Sequence, residues 1–184
     1  MRNRPHFTFS QARVQNYLTN QDYDLRRMID IEPTEAFLDS IVSVCNEQHI
    51  YDWLFKNRLQ GKAYPKSDAV WFHKWGSDGW TNNTHFLFIV TDQKGRAVAA
   101  ADIKTAEIEA AEIGYWSSGH HRGVMTNAIE IMVKAGLNAG FQCLYAKVRP
   151  GNEASEAVLK RLRFQDSPTF TDHEFNAFEI KVNA

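Results

Sequence analysis

The stretch of the chain that most restricts its fold is a strand-like segment followed by a glycine-bearing turn and a long helix-like segment. Residues 109–116 have the pattern of a strand, and Gly123 lies in the turn that follows. Gly140 then marks the end of the helix-like segment. Its apolar stripe at helical spacing consists of Val124, Ala128, Ile131, Met132, Ala135 and Ala139. This succession predicts an α/β fold.

The flanking segments predict further helices and strands. Upstream, the patterns predict a strand within 7–17, a helix opened by Pro33 and a short helix over 49–59. A further predicted helix is capped by Ser67 and ends at Gly76 and Gly79. A predicted hairpin of residues 85–91 and 97–103 follows. Downstream, they predict a strand over 143–148, a helix capped by Asn152 and a strand over 175–182. This order predicts a mixed sheet with helices on both faces.

Length and composition are those of one domain. The 184 residues are 43% hydrophobic, and no repeat or linker marks a boundary. The 21 Lys and Arg residues balance 22 Asp and Glu, so the net charge of -1 argues against nucleic acid as a main partner. No segment approaches the roughly 20 apolar residues that span a bilayer. Cys45 and Cys143 suggest neither a disulfide framework nor a zinc site. We therefore expect a cytoplasmic protein without metal, and the sequence does not indicate its oligomeric state.

The turn before the long helix has features of a phosphate site. The first N–H groups of a helix lack internal partners and carry partial positive charge, which stabilises a pyrophosphate. Gly123 would let a ligand approach the backbone, and Arg122, His120 or His121 would add charged contacts. An ordinary connection between a strand and a helix would also explain these residues. The turn alone therefore does not decide between the two interpretations.

A second motif follows the predicted strand of residues 143–148. It reads N-x-x-S-x-x-V-L-x-x-L-x-F and is formed by Asn152, Ser155, Val158, Leu159, Leu162 and Phe164. Together with the A-E-I-G-Y-W segment at 111–116, this motif resembles the GCN5-related N-acetyltransferases, in particular the branch that acetylates ribosomal-protein N-termini. The resemblance is detailed over residues 111–164. His120 stands where the family has Gln or Arg, and Leu159 stands where many relatives have a tyrosine.

The resemblance implies a mixed, mostly antiparallel sheet whose two central strands, 109–116 and 143–148, are parallel. Acetyl-coenzyme A would bind in a V-shaped split between these two strands. Its pantetheine would pair with the strand edge at 113–117, its pyrophosphate would lie on 122–126, and the Tyr115 N–H would serve as oxyanion donor. Residues 1–84 would form the acceptor side and residues 85–184 the cofactor-binding core of one N-acetyltransferase domain. The cofactor-binding residues implied are Ile113, Tyr115, Trp116, Ser117, His120, His121, Arg122, Gly123, Val124, Met125, Thr126 and Asn152.

Two residues are candidates for proton transfer, because the acceptor amine must lose a proton and the thiolate can gain one. Glu112 matches the position of the catalytic glutamate in histone-acetylating members of the family. It is equally explained as a polar residue on a sheet face. Ser155 is the substitute acid suggested by the ribosomal-protein branch, although a residue in the first turn of a helix needs no such role.

The predicted function is direct transfer of an acetyl group to a primary amine in a ternary complex. The acceptor would be a protein N-terminus or a small amine. The alternative is a sensor or interaction module that binds acetyl-coenzyme A without efficient chemistry. Trp53, Trp71, Trp75 and Trp80 would either line an acceptor pocket or pack helices on the sheet, and packing is the simpler use for most of them.

Overall fold

A central sheet of eight strands organises the computed structural model, which describes residues 4–182. The strands are β1 (Gln11–Gln15), β2 (Asp22–Arg27), β3 (Phe86–Thr91), β4 (Ala97–Ile103), β5 (Ala111–Ser117), β6 (Cys143–Val148), β7 (Gln165–Asp166) and β8 (Asn176–Lys181). Their spatial order is β1-β2-β3-β4-β5-β6-β8-β7. Neighbouring strands are antiparallel except for β5 and β6, which are parallel. The predicted mixed, mostly antiparallel sheet is confirmed.

Six α-helices connect these strands within the described residues. They are α1 (Glu35–Cys45), α2 (Gln48–Ile50), α3 (Lys56–Leu59), α4 (Lys66–Asn82), α5 (Met125–Asn138) and α6 (Glu153–Arg161). A π-helical turn at Tyr51–Phe55 joins α2 to α3, so the predicted helix over 49–59 is not regular. Single 3-10 turns occupy Met28–Asp30 and Gly119–His121. No helix within residues 4–182 is long and apolar enough to cross a membrane.

Strand β3 shows why the sheet is covered on both faces. All six of its residues are buried. Phe86 and Phe88 pack in a core with α5, whereas Leu87 and Ile89 pack in a second core with α1. Because successive side chains of a strand point to opposite faces, the continuous apolar run is buried from both sides. Helices on both faces are thereby confirmed.

The sequence patterns missed the hairpin at the start of the sheet. Strand β1 covers only part of the predicted segment of 7–17, and β2 was not predicted. Within β2 only Tyr23 and Leu25 are buried, and the other four residues are charged. Two buried side chains two residues apart are enough for a strand, but among charged residues they give a weak pattern. Strand β7 was also missed, since it contains two exposed polar residues.

Helix α4 differs from its prediction at both ends. Pro65 rather than Ser67 is its N-cap residue, and it continues to Asn82. Gly76 and Gly79 are buried inside the helix and do not end it. A methyl group at Gly76 would collide with the side chain of Leu87. The two glycines therefore allow close packing of α4 against the chain at β3.

Two of the four tryptophans before β3 pack inside the protein, and the other two are exposed. Trp80 donates a hydrogen bond from Nε1 to the carbonyl of Leu87 at 2.8 Å, and the ring of Trp75 stacks on His85 with 4.1 Å between centroids. Trp71 is 62% exposed and Trp53 is 40% exposed. Packing thus accounts for Trp75 and Trp80 but not for the other two.

Candidate active site

The parallel pair at the centre of the sheet opens into a split. Strands β5 and β6 are paired only from Ala111 opposite Leu144 to Ile113 opposite Ala146. On the other side of β5, Lys104 N donates to the Glu112 carbonyl and Ser118 N donates to the Val98 carbonyl, each at 2.9 Å. The residues of β5 in the same alternation as Glu112 and Ser118 therefore direct their backbone groups towards β4. Tyr115 and Ser117 therefore direct theirs into the split, where β6 no longer pairs with β5.

The turn at the start of α5 is held by the β1–β2 hairpin. The Asn16 side chain donates from Nδ2 to the carbonyl of Arg122 at 2.9 Å, and Tyr17 N donates to the carbonyl of Gly123 at 3.3 Å. Both carbonyl groups are thus turned towards the hairpin. The first N–H groups of α5 have no partner within the helix and mark its positive end. This arrangement favours an anion.

The structure adds a conformational reason for glycine at position 123. Its φ of 101° lies in the left-handed region, which side chains disfavour. A methyl group there would also lie 2.9 Å from Leu18 Cγ and closer still to the Asn16 side-chain oxygen. A side chain at position 123 would therefore be excluded by the hairpin in the free protein, and the approach of a ligand to this glycine stays a prediction.

A cleft of about 940 Å³ lies beside this turn, between the end of β5 and α6. Five of the predicted cofactor-binding residues line it: Ser117, Arg122, Gly123, Met125 and Thr126. Its other lining residues are Tyr17, Leu18, His49, Ser118, Gly119, Glu153, Ala154, Ala157, Val158 and Arg161. The hairpin thus supplies a wall that the motifs did not identify, whereas α6 contributes Val158 of the second motif together with residues outside it.

Arg161 and Tyr17 face each other at the cleft. The Arg161 guanidinium lies over the Tyr17 ring, 5.6 Å from its centroid. Neither residue was predicted as part of the site, because Tyr17 belongs to a hairpin that the patterns did not reveal and Arg161 lies outside the apolar motif of α6. The basic last turn of α6 was the available signal.

Several predicted residues lie outside the lining of this cleft. His121 Nδ1 is 2.8 Å from the Tyr23 hydroxyl, and burial lowers the pKa of His121. Val124 is fully buried in the core. Trp116 packs towards the face of α4, with 6.1 Å between its ring and that of Phe72. The remaining residues of this group are Ile113, Tyr115, His120 and Asn152.

Tyr115 and Ser155 meet across the split. The Tyr115 hydroxyl lies 2.7 Å from Ser155 Oγ and donates to the Ser155 carbonyl at 3.0 Å. Burial raises the pKa of Tyr115 to about 12. Asn152 caps α6 as predicted, since its Oδ1 accepts from Ser155 N at 3.2 Å. Leu159, at the position where many relatives have a tyrosine, is fully buried.

Glu112 lies on the opposite face of the sheet, in a group of charged residues. Its Oε1 is 2.8 Å from Lys104 Nζ, and its side chain is 26% exposed. Nearby, Asp102 accepts a hydrogen bond from Gly114 N at 2.8 Å, and burial raises the pKa of this carboxyl group. Burial alone would lower the pKa of Lys104, but Asp102 and Glu112 outweigh it and raise that pKa.

The segment between α1 and α2 anchors the turn after β5. The Glu47 carboxylate accepts hydrogen bonds from Ser118 Oγ at 2.5 Å and from Gly119 N at 2.7 Å. His49 Nε2 lies 3.1 Å from the carbonyl of Ser117, a group that faces the split. The helical region before β3 therefore contacts the turn after β5 directly. No group of three or more His, Cys, Asp or Glu residues suited to a metal occurs within residues 4–182.

The fold and the split are those of an acetyltransferase domain. The sequence matches the family model described as acetyltransferase (GNAT) domain over residues 10–165. The chain therefore belongs to this family. Among curated proteins no significant match is found.

Solved structures of ribosomal-protein acetyltransferases share this fold. Mycobacterium smegmatis RimJ in complex with a CoA disulfide has a TM-score of 0.72 and 17% identity, with 98% of this chain and 90% of that chain covered. RimL, the ribosomal L7/L12 alpha-N-protein acetyltransferase, in complex with coenzyme A, has a TM-score of 0.69 and 14% identity, with 93% and 98% covered. The ribosomal-protein-S5-alanine acetyltransferase from Vibrio fischeri has a TM-score of 0.66 and 17% identity, with 86% and 92% covered.

Proposed function

We propose that the protein transfers the acetyl group of acetyl-coenzyme A to a primary amine. The observation that carries this proposal is the continuity of the open β5 edge with the N-terminus of α5. Tyr115 and Ser117 offer N–H and C=O groups to an extended amide chain, as in strand addition. The helix N-terminus then offers donors to a pyrophosphate at the end of that chain. A pantetheine followed by a pyrophosphate has this order of groups.

The cleft supplies charges and apolar surface for the rest of the cosubstrate. Arg122 and Arg161 are its two arginines, and a guanidinium binds phosphate through charge-assisted hydrogen bonds. Tyr17 and Leu18 are 44% and 60% exposed and offer an apolar wall. These features support binding of a nucleotide-bearing cosubstrate.

For the chemistry we assign the proton acceptor to Glu112. A carboxylate on the sheet face beside the split is accessible from the side of α1 and α4, which is opposite to α5 and α6. An amine that approaches from there would transfer its proton to Glu112 directly or through one water as it attacks the thioester. Its ion pair with Lys104 must open or rearrange in this step.

We assign stabilisation of the leaving thiolate to Ser155 together with Tyr115. The two hydroxyl groups lie at the point where β5 and α6 approach each other across the split. The acceptor is proposed to be a protein N-terminus or a small amine. The names of the structural relatives support protein acceptors, and family membership supports an amine of either kind.

The test combines binding with turnover. Removal of one charged phosphate contact by Arg122→Ala should weaken coenzyme A affinity by about tenfold to 10²-fold, as expected for a hydrogen bond to a charged group. Lys134→Ala is the matched control, because it removes a positive charge from the exposed side of α5, where Lys134 pairs with Glu130. Equal affinities of both variants in calorimetry would place the cofactor elsewhere.

Turnover separates an enzyme from a binding module. The ion pair of Lys104 with Glu112 favours the second candidate, a domain that binds acetyl-coenzyme A without efficient chemistry. Thiol release should therefore be measured with small amines and N-terminal peptides. Release with at least one acceptor supports the enzyme, whereas tight binding without release from the whole panel supports the module.

A further inference from the structure

Lys104 places an amine next to the proposed proton acceptor. The residue follows β4 directly, and its backbone N–H donates to the Glu112 carbonyl at 2.9 Å. Its Nζ lies 2.8 Å from Glu112 Oε1. Main chain and side chain thus both hold Lys104 against Glu112. The Lys104 side chain is 44% exposed, so its amine is accessible.

The same amine lies close to the strand that borders the split. A methyl group placed at Gly114 would be 3.3 Å from Lys104 Nζ and 3.1 Å from its Cε. The lysine therefore lies over the Cα position of Gly114, where the absence of a side chain leaves room for it. The next residue, Tyr115, directs its N–H into the split. Amine, carboxylate and strand edge are thus adjacent.

We propose that Lys104 is a site of self-acetylation, in which the protein's own lysine acts as the acceptor amine. This inference rests on the proposed function. Glu112 takes a proton from the ammonium group, and the nitrogen lone pair attacks the thioester carbonyl carbon. An N–C bond forms and the C–S bond breaks. As the C–S bond breaks, the nitrogen loses its second proton and the departing coenzyme A thiolate gains one, so the products are Nε-acetyl-Lys104, coenzyme A and protonated Glu112, which returns its proton to water.

Two other lysines within residues 4–182 have a carboxylate partner without this combination. Lys147 is paired with Asp172 at 2.7 Å, on the loop before β8. Lys134 is paired with Glu130 within α5 and is 69% exposed. Both are amines with a nearby carboxylate, but neither partner is the proposed proton acceptor. Lys134 serves as the internal reference for uncatalysed acetylation, because Lys147 is close enough to Glu112 to be affected by its charge.

The experiment follows isotope-labelled acetyl-coenzyme A into each lysine by peptide mass spectrometry. Lys104 should become labelled faster than Lys134, and its rate should not depend on protein concentration because the reaction occurs within one molecule. Glu112→Gln should slow the labelling of Lys104 by about 10²-fold, the usual effect of a general base, and leave Lys134 unchanged. In Lys104→Arg, the mass increase of the intact protein that corresponds to the first acetyl group should not appear.

Each outcome decides the matter. Equal rates at Lys104 and Lys134, or equal rates in the parent and Glu112→Gln, would overturn the inference. If added amines are acetylated while Lys104 stays unlabelled, self-acetylation is wrong and the proposed function stands. If neither added amines nor Lys104 are acetylated although coenzyme A binds, the proposed function itself fails.

Discussion

At the scale of single residues, the Tyr115 hydroxyl changes what Ser155 can do. It has one proton to donate and two acceptors within reach, the carbonyl and Oγ of Ser155. When it donates to Oγ, the hydroxyl proton of Ser155 becomes free for a thiolate. A tyrosine whose pKa burial raises to about 12 does not readily lose its own proton. Tyr115 therefore acts as a hydrogen-bond donor that orients Ser155.

The first prediction concerns this pair. Ser155→Ala should slow the chemical step by about 10²-fold, the lower range of a general acid. Tyr115→Phe should slow it as well, and the double variant should be no slower than Ser155→Ala, because the two hydroxyl groups act as a unit. Single-turnover rates at saturating acetyl-coenzyme A are the measurement. Additive losses would show that the hydroxyl groups act independently.

Stability provides the control for this pair. Since the Ser155 hydroxyl is bonded to Tyr115, Ser155→Ala should cost about 1 kcal/mol of unfolding free energy, the usual loss for one hydrogen bond. Tyr115→Phe should cost a similar amount. Tyr51→Phe is the matched control, because it removes a tyrosine hydroxyl that donates to the Lys62 carbonyl at 2.6 Å and does not line the cleft, and it should leave the chemical step unaltered.

The second prediction concerns pH and His121. Burial holds the pKa of His121 below its ordinary value of 6.5, so the unfolded chain binds a proton there before the folded chain does. The stability that depends on neutral His121 is fully present above the ordinary pKa of 6.5. It is lost as the pH falls from that value towards the lower pKa of the folded state. His121→Gln should therefore lose less stability than the parent between about pH 7 and about pH 5, the range in which histidine titrates. Thermal unfolding at several pH values measures the difference, and parallel curves would contradict it.

At the scale of elements, the β1–β2 hairpin controls the turn that opens α5. Asn16 is 1% exposed and contacts both segments. Its Nδ2 donates to Arg122 O, while its Oδ1 accepts from Leu18 N at 2.9 Å and from Thr19 N at 3.2 Å. One buried side chain thus ties the hairpin loop to the proposed phosphate site.

The third prediction follows from this connection. Asn16→Ala should cost about 1–3 kcal/mol, because it leaves buried polar groups without partners. It should also weaken coenzyme A affinity, since the Arg122 carbonyl is no longer held away from the cleft. Calorimetry on the folded variant measures this. Asn127→Ala is a comparison, as Asn127 donates to Gln15 O at 2.6 Å from an exposed position. If Asn16→Ala binds coenzyme A with unchanged affinity, the hairpin does not influence the proposed phosphate site.

Gly123→Val tests the same region less clearly. The substitution would strain the backbone at φ 101° and collide with Asn16 and Leu18 in the free protein. A loss of affinity in this variant would therefore report a disturbed loop and would not show that a ligand approaches Gly123.

Elements with a continuous or regular hydrophobic pattern could be predicted from the sequence. Features that depend on contacts between distant segments of the chain could not. Strands β4 and β6 begin and end where their patterns predict, and Asn152 caps α6 as its position suggests. Gly76 was misread because local propensity treats glycine as a helix end, whereas packing against Leu87 requires it inside α4. The Tyr115–Ser155 contact depends on where β5 and β6 separate, which no local pattern encodes.

At the scale of the whole molecule, the proposed cofactor cleft is assembled from distant parts of the chain. Its walls come from the β1–β2 loop, α2, the end of β5, α5 and α6. A ligand bound there contacts segments from both halves of the sequence. Binding should therefore stabilise the fold as a unit.

The fourth prediction gives this stabilisation a magnitude. At a coenzyme A concentration of about 100 times its dissociation constant, the unfolding free energy should rise by about 2.7 kcal/mol. For a chain of this length the Tm should rise by roughly 5–10 °C. Differential scanning calorimetry measures the shift. Adenosine is the control, because it lacks the phosphates and the pantetheine, and an equal shift with adenosine would contradict binding along the split.

The contact of Glu47 and His49 with the turn after β5 has a consequence for cooperativity. His49 lies 3.1 Å from the Ser117 carbonyl, the group to which a pantetheine amide would donate. We expect a cosubstrate amide that donates to this carbonyl group to weaken or replace the contact of His49 and so to alter the segment that leads into the helices before β3. If the acceptor binds on those helices, the affinities of acceptor and cosubstrate are thermodynamically linked, and by reciprocity each ligand changes the affinity of the other by the same factor. The affinity for an acceptor should therefore differ between the free protein and its complex with coenzyme A.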